Sequence, residues 1–569
     1  MSRRLYEKAR HLLSQEHPIL PLPDFKDRGG ELSIALAFPN RYYTAMSNLG
    51  FQAVYWLFNQ APGTVCRRVF LPDPEDIPEY RRTDTPLFSL ESQRPVRSFD
   101  ILAFSVSYEN DYPHLLTMMD LARIPLLRRD RAAADPLVMA GGASILMNPE
   151  PLADFVDFFV IGEAEEIIGP LTETLRKGRE RGLSKESLLH DLVHLEGLYA
   201  PQFYNVTYRP DGTIESFIPK EGNPARVKKA WLKDLNTAVT VSPLVTPNTE
   251  LSNMLLLELS RGCRRGCRFC AGCFAYFPYR LRDAGLLEKA AVKGKGIAEK
   301  VGLVGAAISD YPGIIPLGRE IIKEQISLSF SSLRVDSLSP ELADLAFQTG
   351  QKTLTLAPEA GSERMRRVIK KGFTEETILK SVEILAERGF NNFRLYFMVG
   401  LPEESKEDVK AIIDLIRKIQ HHALLKSPGK KKAERITVSM NSFVPKPGTP
   451  FQWHPFEDLS SLNEKIKWVK EGFRRDRNIS VTADLPKWAY LQTLLSRGDR
   501  RVGKLLQAAH NLGGNWPQAY RSVDLNPDFY VYRPRTFKEI LPWDFIDHGV
   551  RKEYLWREYQ NALQEGRKG

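Results

Sequence analysis

Glu258-Leu-Ser-Arg-Gly-Cys263-Arg-Arg-Gly-Cys267-Arg-Phe-Cys270 is the stretch on which the reading of this chain turns. It follows Met254-Leu-Leu-Leu-Glu-Leu259, a short apolar run of buried-strand type. The cysteines are spaced C-x₃-C-x₂-C in a loop of Gly and Arg. Such close spacing lets one loop surround a soft metal centre with thiolates. A tetrahedral site needs four ligands, so three leave one corner open for a substrate or cofactor. Cys273 makes a Cys₄ zinc knuckle the competing arrangement. Zinc sites usually join two CxxC halves across a longer spacer, whereas these four thiols fall within eleven residues. Arg261, Arg264, Arg265 and Arg268 are expected to favour thiolates and an anionic cluster.

The chain has 569 residues, 43% hydrophobic and 26% charged, an ordinary globular balance spread over more than one domain. Its net charge of +10, from 80 basic and 70 acidic residues, admits a nucleic-acid or acidic partner but is spread along the chain. Five cysteines, four of them clustered, exclude a disulfide framework and predict a reducing cytoplasmic location. The start, Met1-Ser-Arg-Arg-Leu, lacks an apolar signal region, and no run approaches a membrane span.

Residues 1–30 read as a short helix and a Pro-rich lead-in. From 31 to 185 strands alternate with helices: Glu31–Phe38, Val65–Leu71, Phe99–Ser107, Pro136–Gly142 and Asp157–Gly162 as strands. This predicts an α/β unit with a Rossmann-like parallel sheet, whose ligands sit at the carboxyl ends of the strands. Those ends carry Pro39-Asn40, Ser105-Val-Ser107, Gly141-Gly142 and Gly162-Glu163, so Ser105, Ser107, Gly141 and Gly142 are candidate ligand contacts. Residues 186–250 form a connector with a hairpin around Asp211-Gly212. From 251 to 455 six strand–helix units (254–259, 301–308, 326–330, 353–357, 393–399, 436–443) predict a partial (β/α)₆ barrel with its chemistry at the strand C-termini. Residues 456–569 read as a mostly helical extension. It contains Ser496-Arg-Gly-Asp-Arg-Arg501 and Trp543-Asp544-Phe-Ile-Asp547-His548, a dense turn expected to help close the barrel mouth.

The C-x₃-C-x₂-C loop after a strand, with Phe269 before the last Cys, resembles the signature of radical S-adenosylmethionine (SAM) enzymes. The resemblance implies that Cys263, Cys267 and Cys270 hold a [4Fe–4S] cluster and that SAM chelates the fourth iron. Reductive cleavage of SAM then yields a 5′-deoxyadenosyl radical, and the electron comes from a donor such as flavodoxin or ferredoxin. By the same resemblance, further SAM contacts fall at strand ends. Asp310 stands where the family's Gly-Gly-Glu motif is missing. Ala357-Pro-Glu359-Ala-Gly-Ser362 is similar to the ribose segment, with Glu359 and Ser362 as contacts. Met398-Val-Gly400-Leu-Pro-Glu403 supplies Gly400 and Glu403 beside adenine.

The N-terminal half resembles the cobalamin-binding domain found ahead of many radical SAM domains, through Ser105-Val-Ser107, Gly141-Gly142 and Asn148-Pro-Glu-Pro…Ile161-Gly-Glu-Ala-Glu165. The Asp-x-His-x-x-Gly motif that ligates cobalt in some cobalamin proteins is absent; the first-strand loop reads Asn40-Arg-Tyr-Tyr-Thr-Ala-Met46. Cobalamin binding without a protein histidine and loss of the cofactor both remain open here. His114 reads as a surface histidine. The resemblance implies a radical SAM enzyme, with cobalamin-dependent methyl transfer as the expected outcome if cobalamin binds. The alternatives are a methylthiotransferase-like RNA modifier, which needs further N-terminal cysteines where only Cys66 is present, and a non-catalytic iron–sulfur protein.

Overall fold

A computed structural model describes residues 2–21, 30–238, 240–330, 333–430 and 434–568. Part of the Pro-rich lead-in and part of the basic loop Lys426–Arg435 lie outside the described residues.

The N-terminal sheet is built from runs apolar enough to be covered on both faces. Its strands are β1 (Leu32–Phe38), β2 (Thr64–Phe70), β3 (Ile101–Ser105), β4 (Leu137–Gly141), β5 (Phe158–Val160) and β6 (Leu198–Tyr199). Every residue of β1 is buried, the pattern of a central parallel strand under helices. The order is β2-β1-β3-β4-β5-β6, parallel except for the last pair. The order reverses between β1 and β3, which leaves a crevice beyond their carboxyl ends. β6 comes from the segment read as connector.

The second parallel system begins with β7 (Met254–Glu258), β8 (Lys300–Val304) and β9 (Ser327–Phe330). A parallel bridge from Leu333 to Leu356 carries it into β10 (Thr353–Glu359), β11 (Asn392–Val399), β12 (Arg435–Ser442) and β13 (Ile479–Ala483). The six expected strands are all present. β13 is a seventh, within the region read as mostly helical; its Ile-Ser-Val-Thr-Ala alternates like an edge strand and pairs Ile479 with Ile436.

Helices Leu459–Gly472, Pro486–Arg497, Val502–Asn511 and Lys552–Arg567 make up most of the remainder. Polar clamps fasten them to the first sheet. Asn148 donates both amide hydrogens, to the Ser496 carbonyl at 2.9 Å and the Gly498 carbonyl at 2.8 Å. Glu150 pairs with Arg500 at 2.9 Å and accepts from Tyr199 at 2.5 Å. Lys446, on the loop after β12, pairs with the buried Glu109 at 2.6 Å, and Gln492 donates to the same carboxylate at 3.0 Å. The Asn148-Pro-Glu and Ser496–Arg501 stretches are therefore two halves of one clamp. Either half alone would leave a buried charge or amide unpaired.

Candidate active site between the sheet and the barrel

The cysteine loop leaves β7 through Gly262, at φ +78. A Cβ there would come within 2.5 Å of the Tyr276 carbonyl, so only glycine lets the loop fold back on itself. The arginines around the cysteines act differently from the electropositive halo expected of them, because three are committed to carboxylates. Arg261 pairs with Glu163 at 2.8 Å, Glu165 at 2.9 Å and Glu258 at 2.8 Å. Arg265 takes Asp310 and Asp336, and Arg268 takes Glu558 at 3.1 Å and Glu565 at 2.7 Å. They hold the loop in place from the first sheet, the barrel and the last helix.

The four thiols gather in one place. Contact with the Cys273 thiol, opposed by burial and helped by the Arg265 N–H and Arg334, brings Cys263 down to about 6. The same Cys273 contact, against burial and with Lys371 and Arg334 assisting, brings Cys267 to about 7. Cys270 is lowered by its contact with Cys273, and Cys273 is raised by the three neighbouring thiols and by burial. The cations that favour the thiolates are thus chiefly Arg334, after β9, and Lys371, after the helix Glu363–Val368, with Arg265 of the loop itself acting on Cys263. Among the described residues no three such side chains form the compact shell of a single metal ion. Three low-pKa thiols from one loop, beside two cations, fit the thiolate donor set of a larger anionic cluster, with Cys273 beside it.

The resemblance-based contacts meet mixed outcomes. Glu359, at φ +67 where β10 ends, faces Lys371 at 3.0 Å, within the cation group that serves the thiols. Gly400, at φ +83, donates its N–H to Glu404 at 2.8 Å. Ser362 caps the helix Glu363–Val368 by accepting from the Met365 N–H, and its hydroxyl donates to Asp408 at 2.5 Å. That hydroxyl is committed to the fold. Asp310 is likewise held by Arg265 and Ser337. Burial opposes its charge, but those bonds keep its pKa below the usual carboxylate value. It anchors the cysteine loop. Glu403 is exposed, with its backbone carbonyl bound by Arg364. The inward acid at this turn is Glu404; it pairs with Lys465 at 2.8 Å, and burial pushes its pKa up to about 7.

A cavity of about 510 Å³ joins the two strand systems. Its floor follows the registered pair Leu36 and Ala103 of β1 and β3, between helices Leu49–Gln60 and Ala164–Glu180. Ser105, Ser107, Gly141 and Gly142 line it at the strand ends, and Arg261, Gly262 and Tyr276 of the cysteine loop, with Gly305 after β8, close the other side. Gly142, at φ +113, has a local reason to be glycine: a Cβ would meet the Val106 carbonyl at 2.5 Å. Asn48 donates to Ser107 at 3.1 Å. The Asn40–Met46 loop turns into the sheet's own packing: Asn40 donates to Asp111, and Tyr42 to Glu16. His114 donates from Nδ1 to the Pro39 carbonyl, 3.0 Å away, and stays partly exposed.

A parallel barrel with a three-cysteine loop at its mouth, facing a doubly wound sheet across a shared cavity, defines a two-module cluster enzyme. Residues 257–416 match the family model of the Radical SAM superfamily, and residues 50–201 match that of the N-terminal region of radical SAM proteins. The chain belongs to the radical SAM superfamily and is a radical SAM enzyme, a class that works with a [4Fe–4S] cluster and SAM. The uncharacterized protein MJ0966 of Methanocaldococcus jannaschii is 29% identical over 484 residues, 84% of this chain and 91% of that protein. A tRNA-2-methylthio-N(6)-dimethylallyladenosine synthase of Ruegeria sp. is 25% identical over 218 residues, 34% of this chain and 48% of that enzyme. The radical SAM methyltransferase TsrM of Kitasatospora setae, solved with cobalamin and a [4Fe–4S] cluster bound, superposes with a TM-score of 0.50 at 14% identity. The match covers 94% of this chain and 100% of that one, a likeness of fold. Among the described residues no helix is long and apolar enough to cross a membrane.

Proposed function

We propose that this chain is a cobalamin-dependent radical SAM methyltransferase, with cobalamin in the shared cavity and Cys263, Cys267 and Cys270 on the cluster. The observation that carries the reading is the cavity itself, which runs from the strand ends Ser105, Ser107 and Gly142 to Gly262 and Tyr276 of the cluster loop. It is largely apolar, with polar groups only where the two modules meet, the composition of a site for a large cofactor. When bound, the cluster and SAM supply a carbon-centred radical, and cobalamin supplies a methyl group for an unactivated carbon. The chain's own residues hold the two centres at a fixed separation through Arg261. They keep cations at Arg334 and Lys371 beside the thiolates, and they keep water from the reacting carbon. A low-potential protein such as flavodoxin or ferredoxin is the proposed electron donor.

A methylthiotransferase reading is favoured by the relative from Ruegeria, but such enzymes use additional N-terminal cysteines. Cys66 lies fully buried in β2, and burial pushes its thiol pKa up, so it is a core residue. The test is anaerobic reconstitution with iron, sulfide and hydroxocobalamin, followed by assay of bound iron and cobalt and of SAM products. About four irons and one cobalamin per chain, with 5′-deoxyadenosine and S-adenosylhomocysteine formed under reducing conditions, is the expected result. Cluster binding and 5′-deoxyadenosine formation without cobalamin would instead support a deoxyadenosyl-radical enzyme.

A further inference from the structure

Within the C-terminal region two arginines are buried without a carboxylate. Arg497, at the end of helix Pro486–Arg497, is 0% exposed, and Arg535 is 5% exposed. Each bonds only backbone carbonyls through its guanidinium: Arg497 those of Val531 and Arg533, Arg535 that of Arg497 at 2.6 Å. Arg533 stands close by and is paired with Glu539 at 2.6 Å, while among the described residues Arg497 and Arg535 have no carboxylate in ion-pair contact. The group therefore holds two buried positive charges with no carboxylate of their own, beside the partly exposed Arg533–Glu539 pair. A guanidinium cannot shed its proton to relieve this. Uncompensated charges in a closed interior are among the costliest features a fold can carry.

The unused hydrogen-bonding atoms point the same way. Arg497 Nε, Arg535 Nε and Nη1, Trp453 Nε1 and Ser496 Oγ are closed to solvent and have no partner among the described residues. These residues form one contiguous group. Ser496 adjoins Arg497, Arg535 bonds the Arg497 carbonyl, and the Arg535 N–H bonds the Trp453 carbonyl at 3.0 Å. All five atoms can donate, and four can only donate. Water could satisfy a donor but would leave the charge excess untouched. An anion answers both demands.

We infer that Arg497 and Arg535 enclose a binding site for a compact anion of the halide class. The site lies behind the loop that follows β12. Arg535 stacks its guanidinium 5.1 Å from the Trp543 ring, and Trp543 Nε1 donates to Gln452, which also receives the Gly448 N–H at 2.9 Å. The bound ion stabilises the C-terminal cover of the barrel mouth, and it does so whichever cofactors the mouth holds.

The experiment is thermal unfolding of the reconstituted full chain at constant ionic strength, with sodium gluconate replaced stepwise by chloride, bromide or phosphate. Crystals grown in bromide are measured in parallel at the bromine absorption edge. The site predicts a saturable rise of several degrees with chloride and bromide, lost in Arg535→Met, and an anomalous peak within hydrogen-bonding range of Arg535 Nε or Nη1. A flat halide response, no bromide at the site, a response to phosphate alone, or an undiminished halide effect in Arg535→Met overturns it. If Arg535→Met does not fold, the wild-type bromide map and the halide response of Arg497→Lys decide the matter.

Discussion

The Arg261 guanidinium donates to the Glu163 carboxylate at 2.8 Å, joining the cysteine loop of the barrel to the loop beyond β5 of the first sheet. Glu163 is buried and also takes Arg280 at 2.6 Å and the Leu232 N–H at 3.0 Å. One carboxylate thus fixes how far the strand ends of the sheet stand from the thiols. A reaction divided between two centres depends on that separation.

Glu163→Gln should leave Arg261 and Arg280 without their shared counter-charge and destabilise the chain by about 3 kcal/mol. Urea unfolding checks it. Burial raises the Glu163 pKa, but the Arg280 bond and Arg261 outweigh it, so its folded value is depressed. Its contribution is full above the unfolded value of about 4.3 and is lost as pH falls through the folded one. The stability difference between Glu163→Gln and wild type should therefore shrink on acidification and be undiminished at neutral pH.

Cys263→Ala, Cys267→Ala and Cys270→Ala should each abolish SAM cleavage, while Cys273→Ala should keep a [4Fe–4S] absorption and paramagnetic spectrum. Cys273 touches all three other thiols and lies on the short helix Ala271–Phe274 after the loop. Loss of the cluster in the Cys273 variant alone would show that the ligand set is different.

The parallel strands were legible because runs such as Leu32–Phe38 are apolar throughout and parallel pairing buries both faces. β13 was not, since five residues of polar alternation resemble any exposed segment. The roles of the loop arginines were hidden for a different reason. Arg261 finds Glu163 98 residues earlier, and Arg268 finds Glu558 290 residues later. A charge run shows its sign in the sequence, but its partners are set by the fold. Glu403, at a left-handed φ of +63, is exposed, whereas the neighbouring Glu404 is the acid held inside by Lys465 and the Gly400 N–H. Ser362 and Asp310 sit at the expected strand ends, yet their polar atoms are committed to Asp408 and Arg265.

Glu404 should give the chain a pH signature near neutrality. Burial, only partly offset by Lys465 and the Gly400 N–H, raises its pKa to about 7. A carboxyl raised in the fold contributes stability below its unfolded pKa of about 4.3, and that contribution is lost as pH rises through the folded value. Unfolding free energy should therefore decline between about pH 5 and pH 8 in wild type. The decline should be smaller in Glu404→Gln, which keeps a bond to the Gly400 N–H and leaves Lys465 with Glu457 at 2.7 Å.

Cobalamin bound in the shared cavity should carry no protein nitrogen on cobalt. Among the described residues the cavity lining includes no histidine, and the Asn40–Met46 loop is spent on the sheet's own packing. A Co(II) paramagnetic resonance spectrum free of nitrogen superhyperfine splitting is expected. Splitting from a single nitrogen would place a protein or nucleotide base on the metal.

The turn at Trp543–His548 should separate into a structural acid and a substrate-facing imidazole. Asp544 pairs with Lys552 at 2.6 Å and accepts from the Leu541 N–H at 3.0 Å, so it closes the turn on itself. His548 differs. Both its ring nitrogens are closed to solvent and have no partner among the described residues. Burial, with Lys229 adding to it, lowers its pKa to about 3, so the ring is neutral at physiological pH and offers one donor and one acceptor. It lies against Gly448 of the loop after β12, beside Met147 of the helix that follows Gly142. Under the proposed function this neutral ring with two unused polar atoms, where the barrel mouth meets the first sheet, would take a polar group of the substrate. Asp544→Asn should lower thermal stability while leaving turnover per folded molecule near wild type. His548→Phe should fold, retain cluster and cobalamin, and still release 5′-deoxyadenosine, but methylated product should fall at least tenfold. Wild-type product yield in His548→Phe would remove this residue from the site.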